Sequence, residues 1–256
     1  MAILECEKVS KAYGGLLAVS DLSFAVEPGE VYAIVGPNGA GKTSLFDCIS
    51  GINPATGGTI TFRGRQIQAL RPHDICRRGL ARTFQTTVAF DSQTVLTNVL
   101  VGGAFGREGE NPFLSFTAPA IESALDALAL CGLADQQAAL AGGLPVLARK
   151  RLMLATALAT KPELLLLDEP FGGLNPAERA QMIDLIRMVA KTGVTILMIE
   201  HVMKAVQALA NRILVIHHGQ QIAEGPPSKV LRDARVIEVY LGTLRPMGTD
   251  AEPANA

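Results

Sequence analysis

Residues 31–44 read VYAIVGPNGAGKTS, and this segment is the most informative one in the sequence. It opens with an unbroken apolar run, Val31–Val35, as the strands of a buried parallel sheet do. The residues from Gly36 to Thr43 satisfy the pattern G-x-x-x-x-G-K-[ST], and a helix is predicted from about Lys42 to Ser50. Glycines let the backbone wrap closely around phosphate with its N–H groups pointing inward. A strand, a glycine-rich turn and a helix in this order predict a site for a nucleoside triphosphate.

Each part of this turn has an expected role in holding the nucleotide. The Lys42 ammonium can reach the β- and γ-phosphate oxygens, and the Thr43 hydroxyl is placed to ligate Mg²⁺. The helix that begins near Lys42 adds the positive end of its dipole. A plain tight turn is the alternative, but the flanking strand and helix favour a phosphate loop. We predict nucleotide contacts for the whole loop: Gly36, Pro37, Asn38, Gly39, Ala40, Gly41, Lys42, Thr43 and Ser44.

A second apolar run ends in two carboxylates. Residues 164–170 read LLLLDEP, which predicts a buried strand followed by Asp168 and Glu169. Adjacent side chains of a strand point to opposite faces, so the two carboxylates are not expected to be equivalent ligands. We assign Asp168 to the Mg²⁺ shell and Glu169 to the polarisation of an attacking water, because phosphoryl transfer needs little beyond a metal, a cradle and a positioned water. An Asp-Glu pair alone is often a solvated turn, but beside a phosphate loop it indicates hydrolysis.

Composition excludes several classes of protein. The chain has 256 residues, of which 48% are apolar and 18% charged, so bulk disorder is excluded. The 23 Lys and Arg against 24 Asp and Glu give a net charge of −1, which argues against a nucleic-acid partner. There is no charge-free apolar window of about 18 residues, and the first ten residues carry Glu5, Glu7 and Lys8, so we expect neither a membrane span nor a signal peptide. The four dispersed cysteines fit reduced core residues, and we expect a cytoplasmic protein.

The order of predicted elements indicates an α/β protein with a mostly parallel sheet. From about Thr86 to Thr160 the chain is rich in Ala and Leu and predicted helical, around a loop at Gly102–Pro119. We predict an α/β core from residues 1–85 and 161–243, a helical sub-domain from 86–160 and a flexible tail from 244–256. The other predicted elements are strands Ile3–Val9, Leu22–Val26, Thr59–Phe62, Glu163–Leu167, Val194–Ile199 and Ile213–Ile216, and helices Ala120–Leu130, Arg149–Ala159, Pro176–Lys191 and Met203–Leu209.

Five motifs along the chain resemble the motifs of one protein family. In ABC-type ATPases the corresponding motifs are the A-loop, Walker A, Q-loop, Walker B and H-loop, here Tyr13, residues 36–43, Gln85, residues 164–170 and His201. The segments KAYGGLLAVSDLSF, RRGLARTFQ and LNPAE are similar more narrowly to the ATP-binding subunits of branched-chain amino-acid importers. The resemblance implies a P-loop NTPase core with a mostly parallel sheet, an antiparallel β region at the N-terminus and an inserted helical sub-domain.

The resemblance also implies roles for single residues. Tyr13 would stack on the adenine of ATP, unless it is an ordinary edge aromatic, and Gln85 would link the γ-phosphate and Mg²⁺ to a membrane partner. His201 follows a strand, and the ends of neighbouring parallel strands converge on one crevice. There it is expected to contact the γ-phosphate, with a structural histidine as the alternative. The predicted catalytic residues are Glu169, His201 and Gln85, and the predicted Mg²⁺ ligands are Thr43, Gln85 and Asp168.

The partners implied are transmembrane permease subunits and a second ABC ATPase subunit, identical or different, with this chain peripheral on the inner face of the cell membrane. An apolar notch for the permease, or equally a piece of core, is predicted from Val88, Phe90, Val95 and Leu96. An arginine cluster is expected to be a solvated helix face, with a partner contact as the alternative: Arg71, Arg77, Arg78 and Arg82. A soluble ABC ATPase of translation or DNA repair, and a regulatory subunit with weak hydrolysis, remain alternative functions.

One segment departs from the family pattern. The family's signature, Leu-Ser-Gly-Gly-Gln, precedes an Arg-rich helix and contacts the γ-phosphate held by the opposite subunit. The predicted helix at Arg149–Ala159 places it at residues 144–148, which read LPVLA, although residues 140–144, LAGGL, look more similar. Branched side chains approach phosphate less closely than Gly and Ser do. We expect an asymmetric dimer, in which a partner's better signature completes this chain's site and the site that this chain completes is weaker.

Overall fold

The computed structural model describes residues 1–85, 88–106 and 116–241. The predicted flexible tail at 244–256 and half of the predicted loop lie outside the described residues. The strands are β1 Leu4–Tyr13, β2 Leu16–Val26, β3 Val31–Val35, β4 Gly57–Phe62, β5 Arg65–Gln66, β6 Leu80–Arg82, β7 Leu164–Asp168, β8 Thr195–Ile199, β9 Arg212–His217 and β10 Gln220–Gly225. The helices are α1 Lys42–Ile49, α2 Pro72–Arg77, α3 Val95–Phe105, α4 Ala118–Leu130, α5 Val146–Ala159, α6 Pro176–Lys191, α7 Met203–Leu209, α8 Pro227–Val230 and α9 Ala234–Leu241.

A six-stranded sheet in the order β10-β9-β3-β8-β7-β6 forms the centre of the fold. Its neighbouring strands are parallel, except that β10 joins β9 antiparallel at one edge. All five residues of β3 are buried. Val31, Ala33 and Val35 belong to the core shared with the helices, whereas Tyr32 and Ile34 belong to the core shared with a second sheet. Burial on both faces explains the unbroken apolar run, and the predicted mostly parallel α/β core is confirmed.

The second sheet is antiparallel, in the order β2-β1-β4-β5, and confirms the β region predicted at the N-terminus. Its first two strands are longer than predicted, because β1 continues to Tyr13 and β2 already begins at Leu16. Leu16 and Leu17 are exposed, so these ends lack the alternation of buried and exposed residues that indicates a strand. The hairpin turns at Gly14, whose φ is +58°.

Helices α3, α4 and α5 pack against one another. The predicted loop at Gly102–Pro119 is wrong at both ends, because its first residues belong to α3 and its last two to α4. Gly102 is a packing glycine: a Cβ there would lie 2.2 Å from the carbonyl oxygen of Thr156 on α5. Pro119 lies in the first turn of α4, where proline is well tolerated. In the described ranges, no helix is both long and apolar enough to cross a membrane.

Candidate active site

The phosphate loop connects β3 to α1, and only glycine fits at its two ends. Gly41 directly precedes α1 with a φ of +98°, and a Cβ there would lie 2.1 Å from the carbonyl oxygen of Ala18 on β2. A Cβ on Gly36 would lie 2.2 Å from the carbonyl oxygen of Ile216 on β9. Strands β2 and β9 therefore lie so close to the backbone of the loop that no side chain fits at Gly41 or Gly36.

Lys42 is buried and its ammonium faces the loop. Nζ donates hydrogen bonds to the carbonyl oxygens of Gly36 at 2.7 Å and Pro37 at 2.9 Å. Burial lowers the pKa of Lys42, and the nearby carboxylates, Glu169 foremost, oppose that shift. The cation is thus held close to the centre of the loop, at acceptors that phosphate oxygens can replace.

An open cleft of about 820 Å³ lies at the loop. It is lined by Tyr13, Leu16, Ala18, residues 36–44, Gln85, Glu169, His201 and Tyr240. All the predicted nucleotide-binding residues and the predicted catalytic residues therefore share one cleft. Tyr13 is 43% exposed, which leaves its ring free to stack on a base, and the Lys11 Nζ lies 4.9 Å from the ring centroid.

Glu169 lies next to the other two side chains predicted to be catalytic, Gln85 and His201. It directly follows β7 in a left-handed conformation, with a φ of +46°. Its Oε2 accepts a hydrogen bond from Gln85 Nε2 at 2.8 Å, and its Oε1 lies 3.7 Å from His201 Nδ1. Such a backbone conformation costs a non-glycine residue about 1–3 kcal/mol and tends to occur at functional sites. Here it accompanies a carboxylate that lines the cleft.

Asp168 has a different environment from its neighbour. It is 4% exposed and is not among the residues that line the cleft. Its Oδ2 accepts a hydrogen bond from Arg82 Nη2 at 2.9 Å, whereas its buried Oδ1 has no hydrogen-bond partner among the described residues. Burial raises the pKa of the Asp168 carboxyl, and Arg82 opposes the rise. One oxygen of this carboxylate is therefore available to a ligand.

The expectation that Arg82 lies on a solvated helix face is wrong. It is the last residue of β6, and only 6% of its side chain is exposed. Besides Asp168, it donates to Asp47 Oδ1 at 2.7 Å and to Ser50 Oγ at 2.9 Å. The buried position of Arg82 is not predictable from the sequence, because α2 ends at Arg77 and the three-residue strand β6 is too short to show a periodic pattern. Of the same cluster, Arg71 and Arg77 are exposed.

Glu200 supports the site and was not predicted. It directly follows β8 and is fully buried. Its Oε2 accepts hydrogen bonds from the backbone N–H groups of His201 and Val202, both at 2.9 Å, and its Oε1 accepts one from Phe171 N–H at 3.1 Å. One carboxylate thus ties the loop that carries His201 to the loop after Glu169. A charged residue between an apolar strand and His201 is the signal that could have indicated this role.

Tyr240, on α9, also lines the cleft and was not predicted from the sequence. Burial raises the pKa of its phenol to about 12, against the opposite effect of a backbone hydrogen bond from Gly36. The phenol therefore lies near the backbone of Gly36, the first residue of the phosphate loop, and both residues line the cleft. No local pattern links Tyr240 to a loop near the other end of the chain.

The two candidate signature segments differ in how their backbone N–H groups are used. In residues 140–144, Ala141 N–H donates to the Gln93 carbonyl and Gly142 N–H to the Asp91 carbonyl, both at 3.0 Å. Residues 144–148 instead begin α5, with Pro145 as its N-cap residue and Val146 half exposed. Residues 141–143 form a single 3-10 turn, whereas residues 144–148 present the start of an α-helix, where backbone N–H groups lack partners within the helix.

Known proteins match this chain over nearly its whole length. The sequence profile of a family described as "ABC transporter" matches residues 19–172, and that of a family described as "Branched-chain amino acid ATP-binding cassette transporter" matches residues 220–243. BraF of Pseudomonas aeruginosa and LivG of Escherichia coli, both high-affinity branched-chain amino acid transport ATP-binding proteins, are 38% and 36% identical over 251 and 249 residues. Each alignment covers 94% of this chain and 98% of the relative.

A solved structure agrees with these sequence matches. The ADP conformation of MJ1267, an ATP-binding cassette of an ABC transporter, superposes with a TM-score of 0.86 at 31% identity, and the match covers 94% of this chain and 99% of that one. The chain therefore belongs to the ABC transporter family, in which it is an ATP-binding subunit that hydrolyses ATP.

Proposed function

We propose that this chain powers the uptake of branched-chain amino acids, or of a related small polar solute, through a membrane permease. The observation that carries the proposal is the meeting of Gln85, Glu169 and His201 in the cleft of the phosphate loop. The solute follows from the relatives, whose names describe branched-chain amino-acid transport. The subunit would work at the cytoplasmic face of the membrane, bound to the permease.

ATP would bind with its triphosphate in residues 36–44 and its adenine against Tyr13. The Lys42 ammonium would exchange the Gly36 and Pro37 carbonyls for β- and γ-phosphate oxygens, which are stronger acceptors because they are charged. The start of α1 adds backbone N–H groups and the positive end of the helix dipole. Tyr240 would support the loop from the side of Gly36.

The residues present fit a Mg²⁺ ion. Asp168 Oδ1 is a buried carboxylate oxygen without a partner in the described part of the chain, and Thr43 supplies a hydroxyl in the cleft. Gln85 supplies an amide oxygen, since its nitrogen already donates to Glu169. Oxygen atoms of this kind are the ligands that Mg²⁺ prefers. When bound, the ion would neutralise charge on the β- and γ-phosphates.

Hydrolysis would depend on the orientation of Glu169. Gln85 holds its Oε2, so Oε1 is left to accept a hydrogen bond from the attacking water. The water oxygen would form a bond to the γ-phosphorus as the bond to the bridging oxygen breaks, its proton would pass to Glu169 Oε1 and from there to the phosphate that forms, and ADP and phosphate would leave. His201 lies beside Oε1 and would donate to a γ-phosphate oxygen. A regulatory role with weak hydrolysis is disfavoured by this assembled set of side chains.

The permease would dock in an apolar groove of about 370 Å³ next to Gln85. Its lining includes Ile52, Cys76, Phe84, Val101 and Phe105. Phe84 directly precedes Gln85, so a segment that presses on Phe84 would also displace the glutamine that holds Glu169. The notch predicted from the sequence divides: Val95 is core, Leu96 packs against the core, and Val88 and Phe90 are exposed.

A second ATPase subunit would complete the nucleotide site from the opposite side, and the start of α5 is the segment this chain offers in return. Val146 is half exposed there and Pro145 has no N–H group to donate. We therefore retain the asymmetric arrangement, in which the partner contributes the stronger signature.

Reconstitution with the copurifying permease tests the proposal. We expect leucine uptake into liposomes that requires ATP and Mg²⁺, and a fall in ATP turnover of about 10²–10⁴-fold in Glu169→Gln, the usual contribution of a positioned base. The matched control is Glu163→Gln, an exposed carboxylate paired with Arg63 away from the cleft. Purification without any membrane partner would contradict the transport role, and unchanged turnover in Glu169→Gln would contradict the assignment of the base.

A further inference from the structure

A buried ion-pair network around Arg82 lies beside the site, and of its members only Asp168 has a role in the proposed function. The guanidinium donates to Asp168 through Nη2, and to Asp47 and Ser50 through Nη1. The exposed side-chain fractions are 6% for Arg82, 3% for Asp168 and 18% for Asp47. A guanidinium presents its donors in a fixed planar fork. The orientation of the buried Arg82 side chain therefore fixes the positions of the groups that it bonds.

Among its hydrogen-bonded members the network carries more negative than positive charge, and the Lys42 ammonium, whose pKa burial lowers and Asp168 raises, is hydrogen-bonded to the Gly36 and Pro37 carbonyls instead. One guanidinium faces two carboxylates, and Asp168 Oδ1 is buried without a hydrogen-bond partner in the described ranges. A buried carboxylate oxygen without a partner is costly unless a ligand satisfies it. The network is therefore arranged for an additional cation at Asp168, while Arg82 fixes the other oxygen of the same carboxylate.

The same arginine reaches the proposed docking groove. Arg82, Ser50 and Phe84 are all among the residues that line it. The guanidinium carbon lies 5.2 Å from the ring centroid of Phe84 and 5.6 Å from that of Phe46, both within the range of cation–π attraction. Phe84 is 45% exposed, so an occupant of the groove would meet this ring directly.

We propose that Arg82 is a positioning residue that aims Asp168 at Mg²⁺ and connects this metal ligand to Phe84 in the docking groove. When a permease segment moves the Phe84 ring, the guanidinium shifts between its two carboxylates and turns Asp168 with it. Arg82 thus provides a connection from groove to metal separate from the one through Gln85. The identity of the groove's occupant rests on the proposed function, whereas the effect on metal binding does not.

Whether Arg82 positions Asp168 for the metal ion can be tested by the binding of Mn²⁺ to the purified full chain with ADP, measured by electron paramagnetic resonance. Arg82→Lys keeps the charge but cannot bond both carboxylates in fork geometry. We expect Mn²⁺ affinity to fall about 10–100-fold, as for other residues that orient a metal ligand, while ADP affinity without metal changes less than about twofold. Arg78→Lys, on a neighbouring basic cleft, is the control. Unchanged Mn²⁺ affinity, or an equal loss of metal-free ADP affinity, would overturn the proposal.

A second variant tests the connection between Arg82 and the docking groove. Phe84→Ala alters a partly exposed ring and leaves the buried network in place. We expect Mn²⁺ affinity with ADP to fall about two- to fivefold, in proportion to one cation–π contact. Parental affinity would overturn the connection to the groove. Neither measurement requires a permease or turnover, so each outcome stands even if the transport function fails its own test.

Discussion

At the scale of single residues, two adjacent carboxylates acquire different roles because the backbone changes conformation between them. Asp168 ends a buried strand, and Glu169 follows it in the left-handed region with its carboxylate in the cleft. From the sequence, we treat the two carboxylates differently because adjacent residues of a strand point to opposite faces. In the structure only Asp168 lies on the strand, so this reason does not hold for Glu169. The turn at Glu169 brings the second carboxylate to Gln85 and His201.

Tyr240 is expected to stabilise the phosphate loop for nucleotide. Tyr240→Phe removes the hydroxyl that meets the Gly36 backbone, so ATP affinity should fall about two- to tenfold, the range for one lost hydrogen bond. Titration calorimetry would measure the change. Ile237→Ala, an exposed residue of the same helix, is the control for effects on α9 itself. An ATP affinity equal to the parent's in Tyr240→Phe would show that the contact does not support the loop.

At the scale of elements, the sequence predicts best where burial is regular. The bounds of β3, α6 and α7 agree with the predictions from the sequence. Helix α6 is delimited by local signals, with Asn175 and Glu178 forming a capping box and Pro176 in the first turn. Short strands such as β5 and β6 were missed, because pairing with neighbours distant in sequence stabilises them, and a few residues carry no period.

Gly102 illustrates why the end of α3 was mistaken for a loop. Glycine lowers helix propensity, but here it allows α3 to approach the backbone of α5. We expect Gly102→Ala to lower the free energy of unfolding by about 1–3 kcal/mol, because the new methyl would lie 2.2 Å from a backbone oxygen. Denaturant unfolding would measure this. Gly143→Ala is a matched control, since a Cβ there meets nothing within 4 Å. Equal stabilities of the two variants would contradict close packing at Gly102.

At the scale of the whole molecule, the site is assembled from loops that follow β3, β6, β7 and β8, neighbours in one sheet. The phosphate loop, Asp168, Glu169 and His201 are predictable because each lies at or beyond the carboxyl end of an apolar strand, where such sites form. Gln85 and Tyr13 are predicted only from the resemblance to the family. The sequence does not predict Arg82, Glu200 or Tyr240. Their roles depend on contacts with residues far away in the chain, which no local pattern encodes.

The start of α5 allows a test of the proposed asymmetric dimer. Pro145→Ser with Val146→Gly restores a hydroxyl and a small residue, and leaves the core-packed Leu147 unchanged. We make this change in the Glu169→Gln background, so that remaining turnover comes from the partner's site. In the intact complex, that turnover should rise about tenfold, less than the roughly 10²–10³-fold contribution of one preorganised donor. The double variant with Glu169 intact shows whether the complex assembles. A homodimer would show no rise, since Glu169→Gln then removes the base from both sites, and that result would sink the asymmetric arrangement.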